Sequence, residues 1–173
     1  MELVKAPSPW LELKVLEFEF DDLDAKSISE EMIRVMQDEG GIGLSANQVA
    51  LHAQIFVMKP YLLEDKSPLT IINPVIESVT INNEISPEGC LSHPELYLKV
   101  SRPKGITAKY LDIDAKECTI ELYDLDARCF LHEYDHLEGK LFLDTVSLLK
   151  INRAKEQRRK LIKKFKKAQK QNS

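Results

Sequence analysis

The chain has 173 residues, an apolar fraction of 43% and a formal net charge of −4. That length supports one domain with a hydrophobic core, and no apolar run approaches what a bilayer-spanning helix needs. The opening Met1-Glu2-Leu3-Val4-Lys5-Ala6-Pro7 lacks the charged-then-apolar layout of a secretion signal, so the expected compartment is the cytosol. Residues 1–25 read as irregular, with Pro7 and Pro9 early and acids at Asp21, Asp22 and Asp24. A helix is expected from about Ser27 to Gln37. Ser27 and Glu30 have capping-box spacing, and Ile28, Met32, Val35 and Met36 form an apolar stripe. Glu39-Gly40-Gly41 ends it. Strands are expected at 54–58, 69–72, 75–80, 106–111 and 117–122. A second helix is expected from about Asp124 to Leu137, capped by Asp124 or Asp126 and stopped by Gly139 in the left-handed region. Leu141-Phe142-Leu143 reads as a short strand or extended link. A third helix is expected over about Leu148 to Gln169. Several strands before a late central helix predict an α+β fold.

Charge is unevenly spread. Residues 147–173 hold eleven Lys/Arg and the single acid Glu156, a net of +10. The remaining residues hold 13 Lys/Arg and 27 acids, a net of −14. The chain therefore divides into an acidic body, 1–146, and a basic helix, 147–173, within one structural unit. In that helix Ile151, Ala154, Leu161, Phe165 and Ala168 make a thin apolar stripe. It fits a solvated helix packed on the body, an electrostatic handle for nucleic acid, or a membrane-surface helix. The thin stripe without tryptophan disfavours the membrane.

The segment His132-Glu133-Tyr134-Asp135-His136 carries the clearest chemistry. Histidines four apart share a helix face, where they can grip one metal ion, and the glutamate between them can move a proton. Leu125 and Cys129 fall on the same face. The competing reading is a core face with hydrogen-bonded histidines. The three cysteines, Cys90, Cys118 and Cys129, are widely spaced and odd in number, which argues against a disulfide framework. Cys90, in Glu88-Gly89-Cys90-Leu91-Ser92, is the candidate third ligand, although a free cysteine also serves as a small buried hydrophobe. Cys118 reads as such a hydrophobe, and Cys129 as packing beneath the site. Three ligands leave a position open for water, the layout of a catalytic site. Upstream, Gly41-Ile42-Gly43-Leu44-Ser45-Ala46-Asn47-Gln48 lets backbone approach a ligand, and it lacks the lysine of a phosphate-binding loop. The Gln48 amide can donate to an oxyanion or serve as a turn residue.

These three segments, in this order, resemble the motifs of the peptide deformylases, and the likeness covers nearly the whole chain. The resemblance implies sheets packed around a central helix carrying the histidines, and removal of the N-formyl group from the initiator methionine of new polypeptides. It implies a metal held by Cys90, His132 and His136, with ferrous iron as the native ion and nickel or zinc able to replace it. Glu133 is then the general base, and Gln48 with the Leu91 backbone N–H receives the oxyanion. Leu125, Cys129 and the His132 ring are expected to form a slot for methionine. Arg128 either lines that slot, with its guanidinium in solvent, or makes a structural ion pair. Gly43 is expected to meet the extended peptide backbone. The basic helix resembles a ribosome-docking element, implying ribosomal RNA as partner.

The family commonly has alanine where Ser45 stands, glycine where Ala50 stands and glutamine where Leu131 stands. The first two exchanges are expected to be tolerated, and Leu131 to remove a polar support beside His132. His93, where the family has an aliphatic residue, reads as a groove-rim or surface residue. Two other function classes stand beside an active deformylase. One is a metalloprotease sharing only the two-histidine element, disfavoured because the third ligand lies upstream. The other is a catalytically silent relative that binds ribosomes, disfavoured because no essential residue is missing.

Overall fold

The structure, a computed structural model, describes residues 1–171, with side chains described through residue 163. The first helix, α1, spans Ala25–Asp38. Its cap is Asp24, whose carboxylate accepts from the Ser27 N–H at 3.1 Å. Ser27 is therefore inside the first turn, and the expected capping box with Glu30 is replaced by this earlier cap. Strand β1 (Gly43–Ser45) follows, then a 3-10 turn at Ala46–Val49 and strand β2 (Ile55–Met58). Strand β3 (Leu69–Val79) is one strand where two short ones were expected. Its interruption at Asn73 is a local bulge with positive φ, not a break.

Strands β4 (Asn83–Cys90) and β5 (His93–Pro103) form an antiparallel hairpin that the sequence reading did not anticipate. Strands β6 (Gly105–Leu111) and β7 (Glu117–Tyr123) lie near their expected places. Helix α2 covers Asp124–Leu137. Neither expected aspartate caps it. Tyr123 holds the cap position, and the Asp126 carboxylate instead accepts from the N–H groups of Tyr61 and Leu62 at 2.7 and 2.8 Å. Gly139 takes φ +69°, the left-handed stop expected of it. Residues Phe142–Thr145 form a 3-10 turn, not a strand. Helix α3 spans Leu148–Gln171. No helix among the described residues is long and apolar enough to cross a membrane.

The five-stranded antiparallel sheet runs β1-β2-β3-β6-β7, and β4-β5 stands apart. Alternation along β2 sends Phe56 and Met58 to one core and Ile55 and Val57 to another. The first core packs on Phe130, Leu131 and Leu137 of α2, the second on Met32, Val35 and Met36 of α1. Helix α2 packs on the first of these cores, and its residues from Asp126 to Glu133 are all buried. The hairpin closes its remaining side. Leu96, Leu98 and Val100 of β5 meet Phe142, and Ile151 and Ala154 of α3 pack on that cluster. Phe165 and Ala168, the rest of the expected stripe, lie outside the residues with described side chains.

Ala50 ends the 3-10 turn with φ 57° and ψ 32°, in the left-handed region. An L side chain there costs about 1–2 kcal/mol, against about 0.4–1 kcal/mol gained from a stiffer unfolded chain. The exchange from glycine is accommodated at a cost in strain. Ala50→Gly is expected to raise unfolding stability by about 0.5–1 kcal/mol in urea titration, the balance of those two effects. A loss of stability would show that the turn does not strain Ala50.

Candidate metal centre

The packing of α2 places His132, Glu133 and His136 at the junction of both sheets. The hairpin delivers Cys90 from the end of β4. The Cys90 sulfur and a ring nitrogen from each histidine lie within 4.8 Å of one another. His136 Nε2 is 3.3 Å from Cys90 Sγ. His132 Nδ1 is 2.7 Å from Glu88 Oε1. Burial alone would raise the Glu88 pKa, but hydrogen bonds from His132 and Arg102 outweigh it and bring it down to about 2. A carboxylate can only accept, so His132 Nδ1 carries the proton and Nε2 is left for a ligand.

The two histidines are pushed in opposite directions. Burial opposes charge on His132, yet its hydrogen bonds with Cys90 and Glu88 raise its pKa to about 10. Burial and repulsion by His132 hold His136 well below the usual imidazole range. One thiol and two imidazoles packed this closely, with a neutral ring among them, suit a borderline-soft divalent ion that takes the place of a proton. Among the described residues, this is the cluster positioned to hold a metal. Cys129 is not in it. Its buried thiol, raised by burial and by the Glu133 charge, lies 3.4 Å from the Ile42 carbonyl oxygen as a neutral donor. Cys118 is half-buried on β7, beside Asp112.

Behind the cluster is a buried ionic network. Arg102 donates to Glu88 through Nε and Nη2, at 3.1 and 2.8 Å, and to Asp135 through Nη1 at 2.5 Å. Arg128 Nη1 donates to Glu88 Oε2 and to the Val100 carbonyl, both at 3.1 Å. Its Nη2 donates to the Glu84 carbonyl at 2.8 Å. Arg128 is 7% exposed, so its guanidinium is paired with Glu88 and does not reach solvent, while the residue still lines the cavity.

In front is a cavity of about 430 Å³ lined by Gly43, Gln48, Leu91, Leu125, Arg128, Cys129, His132 and Glu133, among others. Leu125 is half-exposed at its rim. Gln48 Oε1 accepts from the Ser45 N–H at 2.8 Å, which aims Nε2 at Ser92 Oγ (3.1 Å) and Cys90 Sγ (3.4 Å). The Asn47 amide donates to the His136 carbonyl at 2.6 Å and clips the turn to α2. Gly43 is filled from outside. A Cβ there would meet Glu133 Oε1 and lie 2.9 Å from Cys129 Sγ. Burial raises the Glu133 pKa, against the pull of His132 and a hydrogen bond from Ser45.

Residues 1–152 match the family model described as polypeptide deformylase. The chain belongs to this family. A peptide deformylase from Rhizobium meliloti is 38% identical over 149 residues, 86% of each chain. One from Saccharophagus degradans is 44% identical over 135 residues, 78% of each. The crystal structure of peptide deformylase 1B from Arabidopsis thaliana superposes with a TM-score of 0.83 at 36% identity, covering 97% of this chain and 93% of that one.

Set among the deformylases, two of the departures have a definite structural place. Leu131 lies in the apolar core under the five-stranded sheet, while the support for His132 comes from Glu88. The leucine at 131 therefore leaves a polar support for His132 in place. Of the two places expected for His93, the groove rim is the one realised and the open surface is not. The residue is half-buried in the cavity wall, its ring centroid 5.7 Å from that of Phe142 and its Nδ1 buried without a partner. Five residues of the site had no role assigned from sequence: Glu88, Arg102, Asp135, Ser45 and Asn47. All but Arg102 stand inside the three motifs, and each needs the fold to meet its partner.

Glu88→Gln keeps the shape but leaves Arg128 buried without its counter-ion and weakens the hold on His132. Unfolding stability is expected to fall by about 3–5 kcal/mol. Metal affinity, read by chelator competition, is expected to fall about 10–100-fold. Unchanged affinity would mean that Glu88 does not set the His132 ring.

Proposed function

We propose that this protein is a metal-dependent peptide deformylase, hydrolysing the N-formyl group from the formyl-methionine of newly made polypeptides and releasing formate. The observation that carries this reading is Cys90. Brought in from the hairpin, it joins a two-histidine helix beside Gln48 and Glu133, and a peptidase sharing only the histidine element has no such partner. All the parts that a silent relative would have lost are present.

In this reading Cys90, His132 and His136 hold the ion. When bound, it supplies Lewis acidity, activating water and polarising the formyl carbonyl. Glu133 takes the proton of the attacking water and returns it to the departing amine, a task suited to a carboxylate whose pKa burial has raised. Gln48 Nε2 and the Leu91 backbone N–H donate to the formyl oxygen as charge develops on it. Leu125, Cys129, the His132 ring and the Arg128 stem receive the methionine side chain. Strand β1 pairs with β2 along one edge, and Gly43 lines the cavity, so an extended peptide can add beside it.

Ferrous iron is our proposed native ion, with nickel and zinc as substitutes, because a thiol and two imidazoles suit all three. A reducing cytosol, where formylated chains emerge, keeps such a thiol available. We take residues 1–146 as the catalytic domain and 147–173 as a helix of the same unit. That helix exposes Lys150, Arg153, Lys155 and Lys163, a basic face suited to ribosomal RNA.

Anaerobically purified protein is expected to release formate from a formyl-Met tripeptide, with one divalent ion per chain by elemental analysis. Glu133→Ala should keep the metal and lose turnover at least a hundredfold, as expected for a general base. Cys90→Ala should lose the metal. Retention of metal in the second variant, or substantial turnover in the first, contradicts the assignments.

For the helix, the fourfold change of Lys150, Arg153, Lys155 and Lys163 to Gln spares the packed residues Ile151 and Ala154. Wild type should sediment with ribosomes in a steeply salt-dependent way, and the variant should not. Equal sedimentation removes the RNA role.

A further inference from the structure

We infer that Ser45 is a positioning residue that holds the Glu133 carboxylate and the Gln48 amide in one register, an inference that rests on the deformylase reading. Ser45 is fully buried, with no exposed surface. Its hydroxyl donates to Glu133 Oε2 at 2.8 Å and lies 2.9 Å from the Glu133 backbone oxygen. Its backbone N–H donates to Gln48 Oε1 at 2.8 Å. The same residue therefore grips the base by its side chain and the oxyanion donor by its main chain. Strand β1 makes this possible. Ser45 pairs with Phe56 at the end of the β1-β2 ladder, so its backbone is held independently of either contact.

The geometry divides the two Glu133 oxygens. Oε2 is tied to Ser45, and Oε1 lies over the bare Cα of Gly43, next to the cavity. A tied Oε2 leaves Oε1 as the oxygen that meets water. Glutamate has a rotatable stem, and a 4% exposed carboxylate has few other donors to restrain it. Among the described hydrogen bonds, Ser45 is the donor to this carboxylate. Alanine, common in the family at this position, keeps the N–H hold on Gln48 and removes only the hold on Glu133. Ser45→Ala therefore isolates the side-chain half of the arrangement, with little risk to folding.

The experiment uses the full-length, metal-loaded enzyme. A hydrogen bond to a charged acceptor is worth about tenfold or more in an equilibrium. Ser45→Ala is expected to lower kcat for a formyl-Met tripeptide about tenfold. KM should stay within about twofold, bound metal unchanged, and Tm within about 4 °C, as one lost hydrogen bond allows. Crystals of the variant should show the Glu133 carboxylate in more than one rotamer. In a Glu133→Asp background, where the shorter carboxylate no longer reaches the hydroxyl, adding Ser45→Ala should change kcat less than about twofold, the signature of coupled sites. A kcat within about twofold of wild type overturns the inference, and so does a fall matched by loss of metal, or an equal tenfold fall in both backgrounds. If wild type releases no formate, the deformylase reading fails. The Glu133 rotamers in the variant crystals still decide whether Ser45 holds the carboxylate.

Discussion

The buried Glu88 carboxylate is the point on which the site turns. It receives His132, Arg102 and Arg128 at once, and these come from α2 and β5. A charge 6% exposed is tolerated only when every lone pair is met, and here the partners that meet it are the parts that must be aligned. Satisfying Glu88 fixes the hairpin against the helix. Fixing the hairpin sets Cys90 beside the two histidines. The same contact selects the His132 tautomer, so one ionic knot determines both where the ligands stand and which nitrogen faces the ion.

A second restraint acts from the opposite side. The end of β1 and the turn after it touch α2, through Ser45 to Glu133 and through Asn47 to the His136 carbonyl. Helix α2 is therefore held between the hairpin and the sheet edge, with its ligands facing the gap between them. The gap is the cavity. Its floor is polar where α2 contributes His132 and Glu133, and its flank is apolar where Leu125 and Cys129 continue the same helix face. A substrate with a reactive end and a neighbouring apolar side chain fits this sequence of environments along one helix.

What the sequence made legible follows from the range of the interactions. Histidines at i and i+4 share a helix face whatever the rest of the chain does, and Gly139 stops the helix through its own backbone. Both were read correctly. The cap at Asp126 was not, because Tyr61 and Leu62, distant in sequence, claim its carboxylate. Arg128 had two readings because choosing between them required the register of the β4-β5 hairpin. That hairpin is hidden in the sequence although Leu96, Leu98 and Val100 alternate along it. Prolines at 87, 94 and 103 and Gly89 broke the run that a central strand would show. In a separate two-stranded ribbon, such residues are admissible. Strand β1, three residues long, exists only because β2 lies beside it.

The charge division of the chain has a structural counterpart. Helix α3 is tied to the body by Ile151 and Ala154 against β5, on the hairpin that also brings Cys90 to the metal cluster. The body carries −14 and the final segment +10, so a polyanionic surface is repelled by one and attracted by the other. Docking by such a helix would orient the body as well as recruit it, because the acidic portion turns away from phosphate. The apolar contact that anchors α3 and the ionic contact that positions His132 both act through β5. The hairpin hidden by its prolines is thus the element common to the catalytic cluster and the basic helix.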